Sequence, residues 1–301
     1  MADVTFDGKV AIITGAGGGL GRAHALLMAE RGARIVVNDL GGSTDGTGAS
    51  DSAADKVVAE IVGAGGEAVA NHDSVTTPEG GAAIVQSALD AYGTVDIVVN
   101  NAGILRDASF AKVTNENFEA VLDVHLRGAF HVSQPAFRVM KEHGYGRFVH
   151  TTSGAGLFGN FGQSNYAAAK MGIVGLSNVI AIEGAKANIL SNVIAPVAGT
   201  RLTEELMGPM AGLLAPEQVS GLVAFLCSEQ CDLTHEIFSL GGGRIARVFL
   251  ALGPGWVAGK GVSPTPEEVV ANLEAIRSTE GYTIPAAATE EMMALAPLLQ
   301  D

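Results

Sequence analysis

Tryptophan is almost missing from this chain, with one copy in 301 residues beside four tyrosines. That does not suggest a tryptophan-rich binding face. Positive charge is scarce as well: 18 lysines and arginines stand against 32 aspartates and glutamates, a formal charge of −14. Phosphate backbones need a basic field, so this balance argues against nucleic acid as a main partner. A phosphorylated ligand held by one loop or a few arginines stays open. The two cysteines, Cys227 and Cys231 in L-C-S-E-Q-C, lie four residues apart on an expected helix. They are poor disulfide partners there, and no histidine pair stands near them to complete a zinc site. His24, His72, His131, His143, His150 and His235 show no metal-ligand spacing, so no metal is expected. No apolar stretch reaches the ~18 residues of a membrane span. The start has no signal-peptide pattern, and L-L-Q-D is not a peroxisomal address. The expectation is a cytoplasmic protein without a membrane partner.

Glycine and apolar residues are abundant: 40 glycines, and 48% apolar content. Such a chain suits tight turns and close helix–sheet packing around a large core. Apolar β-branched runs alternate with helical stretches. The sequence predicts strands at Lys9–Thr14, Arg34–Asn38, Glu67–Asn71, Val95–Asn100, Gly146–Ser153, Ile189–Ala195 and Ile237–Leu240. It predicts helices at Gly19–Arg31, about Asp51–Gly63, Pro78–Tyr92, Glu116–Glu142 with a bend at Pro135, Gln163–Gly184, and from Pro216. The polar stretch L-G-G-S-T-D-G-T-G-A-S after Asp39 reads as an exposed loop. The expected fold is α/β, a doubly wound parallel sheet of about seven strands with helices on both faces. Residues 1–301 read as one domain, with 254–301 as a C-terminal helical extension. In that tail T-P-E-E resembles a capping box of Thr265 and Glu268, and a second short helix is expected after Thr289.

Ligands of such sheets sit at the carboxyl ends of the strands. Asp39, Asn101, Ser153 and Pro196 all follow strands there. T-G-A-G-G-G-L-G places Gly15, Gly19, Leu20 and Gly21 between a strand and a helix. A turn without side chains lets backbone N–H groups and the helix N-terminus approach a pyrophosphate. Asp39 could accept hydrogen bonds from ribose hydroxyls and would repel a 2′-phosphate, and no basic residue occupies the glycine loop. NAD is therefore favoured over NADP. Asn101, Ala102 and Gly103 could line the adenine and ribose, and Asp73 with Ser74 could meet the adenine edge.

Tyr166 and Lys170 in N-Y-A-A-A-K lie one helical turn apart, and Ser153 precedes the tyrosine by thirteen residues. A free tyrosine has a pKa near ~10, too high for an efficient base near neutral pH. A lysine ammonium one turn away would favour the phenolate. Tyr166 would then take the proton of a substrate hydroxyl, Ser153 would place the substrate oxygen, and Lys170 would lower the tyrosine pKa and hold the nicotinamide ribose.

T-G-A-G-G-G-L-G, N-N-A-G and S-x12-Y-x3-K, in this order, resemble the short-chain dehydrogenase/reductase family over roughly Gly8–Gly253. The resemblance implies a Rossmann-type seven-stranded sheet, oxidoreductase activity, and a homodimer or homotetramer built through the long helices. V-V-N-D-L-G-G, N-N-A-G-I-L-R-D, V-H-L-R-G and L-F-G-N-F-G-Q-S-N-Y are closer still to the (3R)-hydroxyacyl-CoA dehydrogenase unit of peroxisomal multifunctional enzyme type 2 and its bacterial relatives. That likeness implies an acyl-CoA substrate oxidised at its 3-hydroxyl. A hydroxysteroid or other secondary alcohol without CoA is the alternative. A NAD-binding regulatory protein is the rival of another class.

The chain departs from the family pattern in places. His125 stands where many members carry an asparagine that holds a relay water. The P-G after the sixth strand is Pro196-Val197, and the threonine that contacts the nicotinamide amide is shifted by one residue, to Thr200. Arg106 and Arg127 are candidates for a CoA phosphate or thioester.

Overall fold

Every residue of Val10–Thr14 is buried, as expected of a strand covered on both faces. The computed structural model describes residues 3–48, 50, 52–200 and 208–299. Val10–Thr14 is β1; it is followed by β2 (Arg34–Asn38), β3 (Glu67–Asn71), β4 (Ile97–Asn100), β5 (Gly146–Thr151), β6 (Ile189–Pro196), β7 (Ile237–Gly241) and β8 (Arg244–Val248). They form one sheet in the order β3-β2-β1-β4-β5-β6-β7-β8. All pairings from β3 through β7 are parallel. The doubly wound parallel sheet read from the sequence is thus borne out. β8 is an additional strand: Gly242 and Gly243, at φ 58° and 80°, turn the chain back on β7 in two residues, which makes that pair antiparallel.

Alternation along each strand divides the core. Ile13, Ile35 and Val37 face one way, packed with Met28 of α1 (Gly19–Glu30), Val57 and Ile61 of α2 (Ser52–Gly63), and Val223 of the later helix Glu217–Cys227. Ile12, Val36 and Val98 face the other way, against Ile84 of α3 (Pro78–Tyr92) and Met140 further along. The expected start of α2 at Asp51 lies outside the described residues. Cys227 and Cys231 are free buried thiols of the first core.

The long helix predicted at 116–142 is divided. It comprises α4 (Asn115–Leu122), a π-helical turn at Asp123–Arg127, and α5 (Gly128–His143). Pro135 lies inside α5, so the departure from regular α-geometry falls at the π turn, which ends eight residues before the expected bend. π turns insert one extra residue and often mark functional positions. Short α6 (Gly154–Phe158) was not legible in the sequence; it precedes α7 (Ser164–Gly184). Contrary to the sequence expectation, Ser164–Ala187 is long and apolar enough to cross a membrane by length and composition alone. It carries Ile173, Val174 and Ile180 into the interior, as a core helix does. Glu217–Cys227 is α8.

The chain falls into two compact units, Met1–Arg247 and Val248–Asp301. The second holds α9 (Pro266–Ala271), α10 (Leu273–Ile276) and α11 (Ala288–Leu295). The expected capping box is present: Thr265 Oγ1 accepts from Glu268 N at 3.2 Å, and Glu268 Oε2 accepts from Thr265 N at 2.8 Å. Leu252 and Thr283 exchange two backbone hydrogen bonds of 2.9 Å, and Phe249 stacks on Tyr282. None of the described residues of this unit is buried.

α3 crosses α5 at Gly81, where an added Cβ would fall 2.4 Å from His131 O. Gly81→Val should push the two helices apart and destabilise the fold by about 1–3 kcal/mol. Urea unfolding of the variant would read this as a lower midpoint at unchanged slope.

Candidate active site

Strand order reverses between β1 and β4, which opens a crevice at their carboxyl ends. The two loops there are held together by a short set of hydrogen bonds. Asn101 Nδ2 donates to Thr14 O and Gly15 O, each at 3.1 Å. Thr14 Oγ1 accepts from Asn101 N and Ala102 N, also at 3.1 Å. The approach leaves no space for side chains. A Cβ on Gly15, which has φ +65°, would meet Ala102 Cα at 2.8 Å. One on Gly21 would meet Gly15 O at 2.3 Å.

The crevice encloses about 390 Å³. Of the residues singled out from sequence, Gly15, Gly19, Leu20, Asp39, Asp73, Ser74, Asn101, Ala102, Gly103 and Thr200 line it. Gly21 and Pro196 do not. Gly21 is buried in α1, where it supports the loop from behind, and Pro196 is the last residue of β6. Asp39 stands at the rim; Oδ2 accepts from Gly17 N at 2.8 Å and Oδ1 from Gly41 N at 2.7 Å. Asp73 is fixed by Asn71, whose Nδ2 donates to Asp73 Oδ2 at 2.7 Å. This bare glycine wall and terminal carboxylate fit a nicotinamide dinucleotide: backbone at the pyrophosphate, carboxylate at the ribose.

Ser153, Tyr166, Lys170 and His125 lie outside the wall of that cavity and close to one another. Ser153 caps α6, its Oγ accepting from Ala155 N at 3.2 Å, and its hydroxyl also hydrogen-bonds the Tyr166 phenol. Lys170 Nζ stands 5.4 Å from the Tyr166 ring centroid and donates to Thr151 O at 2.7 Å. Thr152 Oγ1 donates back to Lys170 O at 2.6 Å, so the end of β5 and the first turns of α7 are tied reciprocally. Gly156 is needed here, because a Cβ on it would fall 2.7 Å from Lys170 Cβ.

His125 sits on the π turn, with its ring edge-on to Tyr166 at 5.1 Å. Nε2 is 2.8 Å from Ile104 O and 3.1 Å from Ile104 N. We place the proton on Nε2, donating across the shorter contact, which leaves Nδ1 as a bare acceptor. Nδ1 is buried and has no partner among the described residues. The ring is admitted by Gly103, where a Cβ would lie 2.4 Å from His125 Cε1.

Burial dominates the charge states. It pushes the Tyr166 phenol up to about 12, opposed by the Ser153 hydrogen bond. It brings the Lys170 ammonium down to about 7. It holds His125 well below the usual imidazole range, helped by the charge of Lys170. The expectation that Lys170 lowers the tyrosine pKa is therefore corrected. Withdrawal from water disfavours the charged form of both groups, and Tyr166 stays a protonated phenol near neutral pH.

The arginines singled out for CoA are engaged elsewhere. Arg127 pairs with Glu119 at 2.8 Å and with Asp123. Arg106 Nε donates to Asp45 O at 2.8 Å. No metal-binding cluster is present among the described residues.

Residues 9–208 match the sequence profile described as short chain dehydrogenase. A putative short-chain type dehydrogenase/reductase of Mycobacterium tuberculosis is 50% identical over 277 residues, covering 92% of this chain and 96% of that protein. Mouse peroxisomal multifunctional enzyme type 2 is 48% identical over 273 residues, 90% of this chain but 37% of that protein. The chain thus spans little over a third of that relative. A solved structure of 7α-hydroxysteroid dehydrogenase with NADH and 7-oxo glycochenodeoxycholic acid superposes with a TM-score of 0.73 at 30% identity, covering 81% of this chain and 98% of that one.

The burial of Lys170 generates a stability prediction. Its folded value, about 7, lies below the 10.5 of an exposed lysine. Between those values the unfolded chain binds a proton that the folded chain does not, so stability rises with pH across that window and the penalty is complete below about 7. Urea unfolding at neutral and alkaline pH should show wild type gaining on Lys170→Met as pH rises. A constant difference between them would contradict the buried-lysine reading.

Proposed function

The chain belongs to the short-chain dehydrogenase family, and on that footing we propose that it is a NAD-dependent dehydrogenase interconverting a (3R)-3-hydroxyacyl-CoA and its 3-oxoacyl-CoA. The coarser statement, an oxidoreductase that acts on secondary alcohols with a nicotinamide cofactor, follows from the family. The observation that carries the dehydrogenase chemistry is the Ser153–Tyr166–Lys170 group beside a crevice that ends in Asp39. NAD rather than NADP is supported by the Asp39 carboxylate, which is anchored on Gly17 N and Gly41 N and would repel a 2′-phosphate. When bound, the nicotinamide supplies hydride acceptance and donation.

The chain's own residues manage the proton and the geometry. Ser153 offers its hydroxyl to the substrate oxygen and, through its bond to Tyr166, aligns the phenol with the same atom. Tyr166, held protonated, is the acid that a ketone oxygen needs during reduction. In the oxidative direction it must first lose that proton, so oxidation is favoured by rising pH. Lys170, anchored on Thr151 O, fixes the face of α7 that presents Tyr166 and would hold the nicotinamide ribose. His125 Nδ1, buried and without a partner among the described residues, would accept a hydrogen bond from a relay water.

Phe110, Phe158 and Phe161 are 84%, 75% and 90% exposed, Phe158 at the end of α6 and the other two on the connecting segments before and after it. Such a rim suits a large apolar group. An acyl chain and a sterol both satisfy it, and the acyl-CoA choice rests on the residue likeness to the multifunctional-enzyme unit. Pairing of copies through α5 and α7 belongs to the same proposal; Phe130, Val179 and Ile182 are exposed apolar residues that it would cover.

Purified protein should form NADH from (3R)-3-hydroxyacyl-CoAs and not from the (3S) isomers, faster with NAD⁺ than NADP⁺, at a rate that increases with pH. Tyr166→Phe should lower kcat/KM by about 10²-fold or more, with NADH binding retained. Turnover of hydroxysteroids alone would replace the acyl-CoA reading. Tyr166→Phe at wild-type rate would remove the proposed chemistry.

A further inference from the structure

The polar loop after Asp39 is a built element. Ser50 N donates to Leu40 O at 3.0 Å, which closes its base. Ser43 N donates to Thr47 O at 2.9 Å and Gly46 N to Ser43 O at 3.0 Å, which tightens its tip. The Asp45 carboxylate accepts from the Ser43 and Thr47 hydroxyls and from Thr47 N. These bonds, those of Ser43 first, hold it down to about 2, so it is ionised throughout the working range.

The loop also forms one wall of the dinucleotide crevice, through Gly42, Ser43, Thr44 and Gly46. Its far side is pinned to the segment after β4. Leu105 N donates to Thr44 O at 2.9 Å, and Arg106 Nε donates to Asp45 O at 2.8 Å. Gly46, at φ +83°, lies against Ile104; a Cβ there would meet Ile104 Cδ1 at 3.0 Å. The same short segment reaches the catalytic group. Ile104 O accepts from His125 Nε2 at 2.8 Å, and Arg106 O accepts from Asn165 Nδ2 at 2.9 Å, one residue before Tyr166.

From this we infer that residues 41–48 form a strap over the dinucleotide, and that Arg106 is a positioning residue that clamps the strap and so sets how fast the cofactor leaves. The inference rests on the crevice being a nicotinamide dinucleotide site. It gives Arg106 a task at the cofactor side in place of a CoA contact. Once its guanidinium is lost, the strap keeps its internal bonds and Leu105 N, but loses the hydrogen bond to Asp45 O and the nearby charge.

The test compares wild type, Arg106→Ala and Arg106→Lys by NADH fluorescence titration, by stopped-flow NADH release, and by hydrogen exchange over residues 41–48. Arg106→Ala should weaken NADH binding roughly three- to tenfold, the scale of one typical net hydrogen bond at an exposed position, with a matching rise in release rate. Amides of Ser43, Gly46 and Thr47 should lose protection in that variant and regain part of it with NADH. Arg106→Lys should fall between. The melting temperature should stay near wild type, which separates a clamp from a fold defect. Unchanged NADH affinity, release and exchange in Arg106→Ala, with a raised KM for the alcohol substrate, would overturn the clamp and return Arg106 to the substrate side. A wild type that binds no NADH would overturn both this inference and the proposed function.

Discussion

The site depends on one contact, the joining of the β1 and β4 loops through Thr14 and Asn101. Two side chains satisfy four backbone groups at the sheet's switch point: two carbonyls through Asn101 Nδ2, and two N–H groups through Thr14 Oγ1. Buried backbone polar groups must find partners, and here the partners also fix the separation of the loops. The spacing they impose is too tight for a Cβ on Gly15 or Gly21. Glycine at these positions follows from the packing between loops as much as from any ligand. A bare crevice is then the product of the fold itself.

From that crevice the chemistry follows by burial. Lys170 is 3% exposed, yet it reaches a carbonyl at the end of the neighbouring strand. Desolvation acts in opposite senses on a lysine and a phenol, so both lean to the neutral form. A neutral Tyr166 can donate a proton. His125, neutral for the same reason, has one nitrogen on Ile104 and the other buried with no hydrogen-bond partner among the described residues. The segment Ile104–Asp107 is where these arrangements meet. It holds His125, the strap after Asp39, Asn165 and, through Asp107, Gln163.

Much of this was legible in the residues. Strand β2 and helix α3 begin and end where alternation and proline place them, since buried parallel strands and capped helices declare themselves locally. The serine, tyrosine and lysine were legible because their spacing has meaning on a helix. The π turn at Asp123–Arg127 was not, because an extra residue inside a continuous helical pattern leaves no local mark. Pro135 drew attention to the wrong place, since tertiary packing carries the helix through it. The tyrosine pKa was misjudged because sequence spacing shows a nearby lysine but not the burial that raises the phenol and weakens the ammonium. The role of Gly156, and the docking of the polar loop on Leu105 and Arg106, required long-range geometry. Gly103 was marked for the cofactor and lines the crevice, but its contact with His125 was also beyond the sequence.

The central claim is that hydride moves between a substrate carbinol carbon and nicotinamide at Tyr166. The most direct measurement uses a 3-hydroxyacyl-CoA deuterated at C3, incubated with NAD⁺ and the protein. The reduced cofactor is then weighed by mass spectrometry. The account predicts reduced nicotinamide carrying one deuterium, lost when Tyr166 is replaced by phenylalanine. Bound NAD⁺ that stays unreduced, or reduced cofactor without the label, would contradict it.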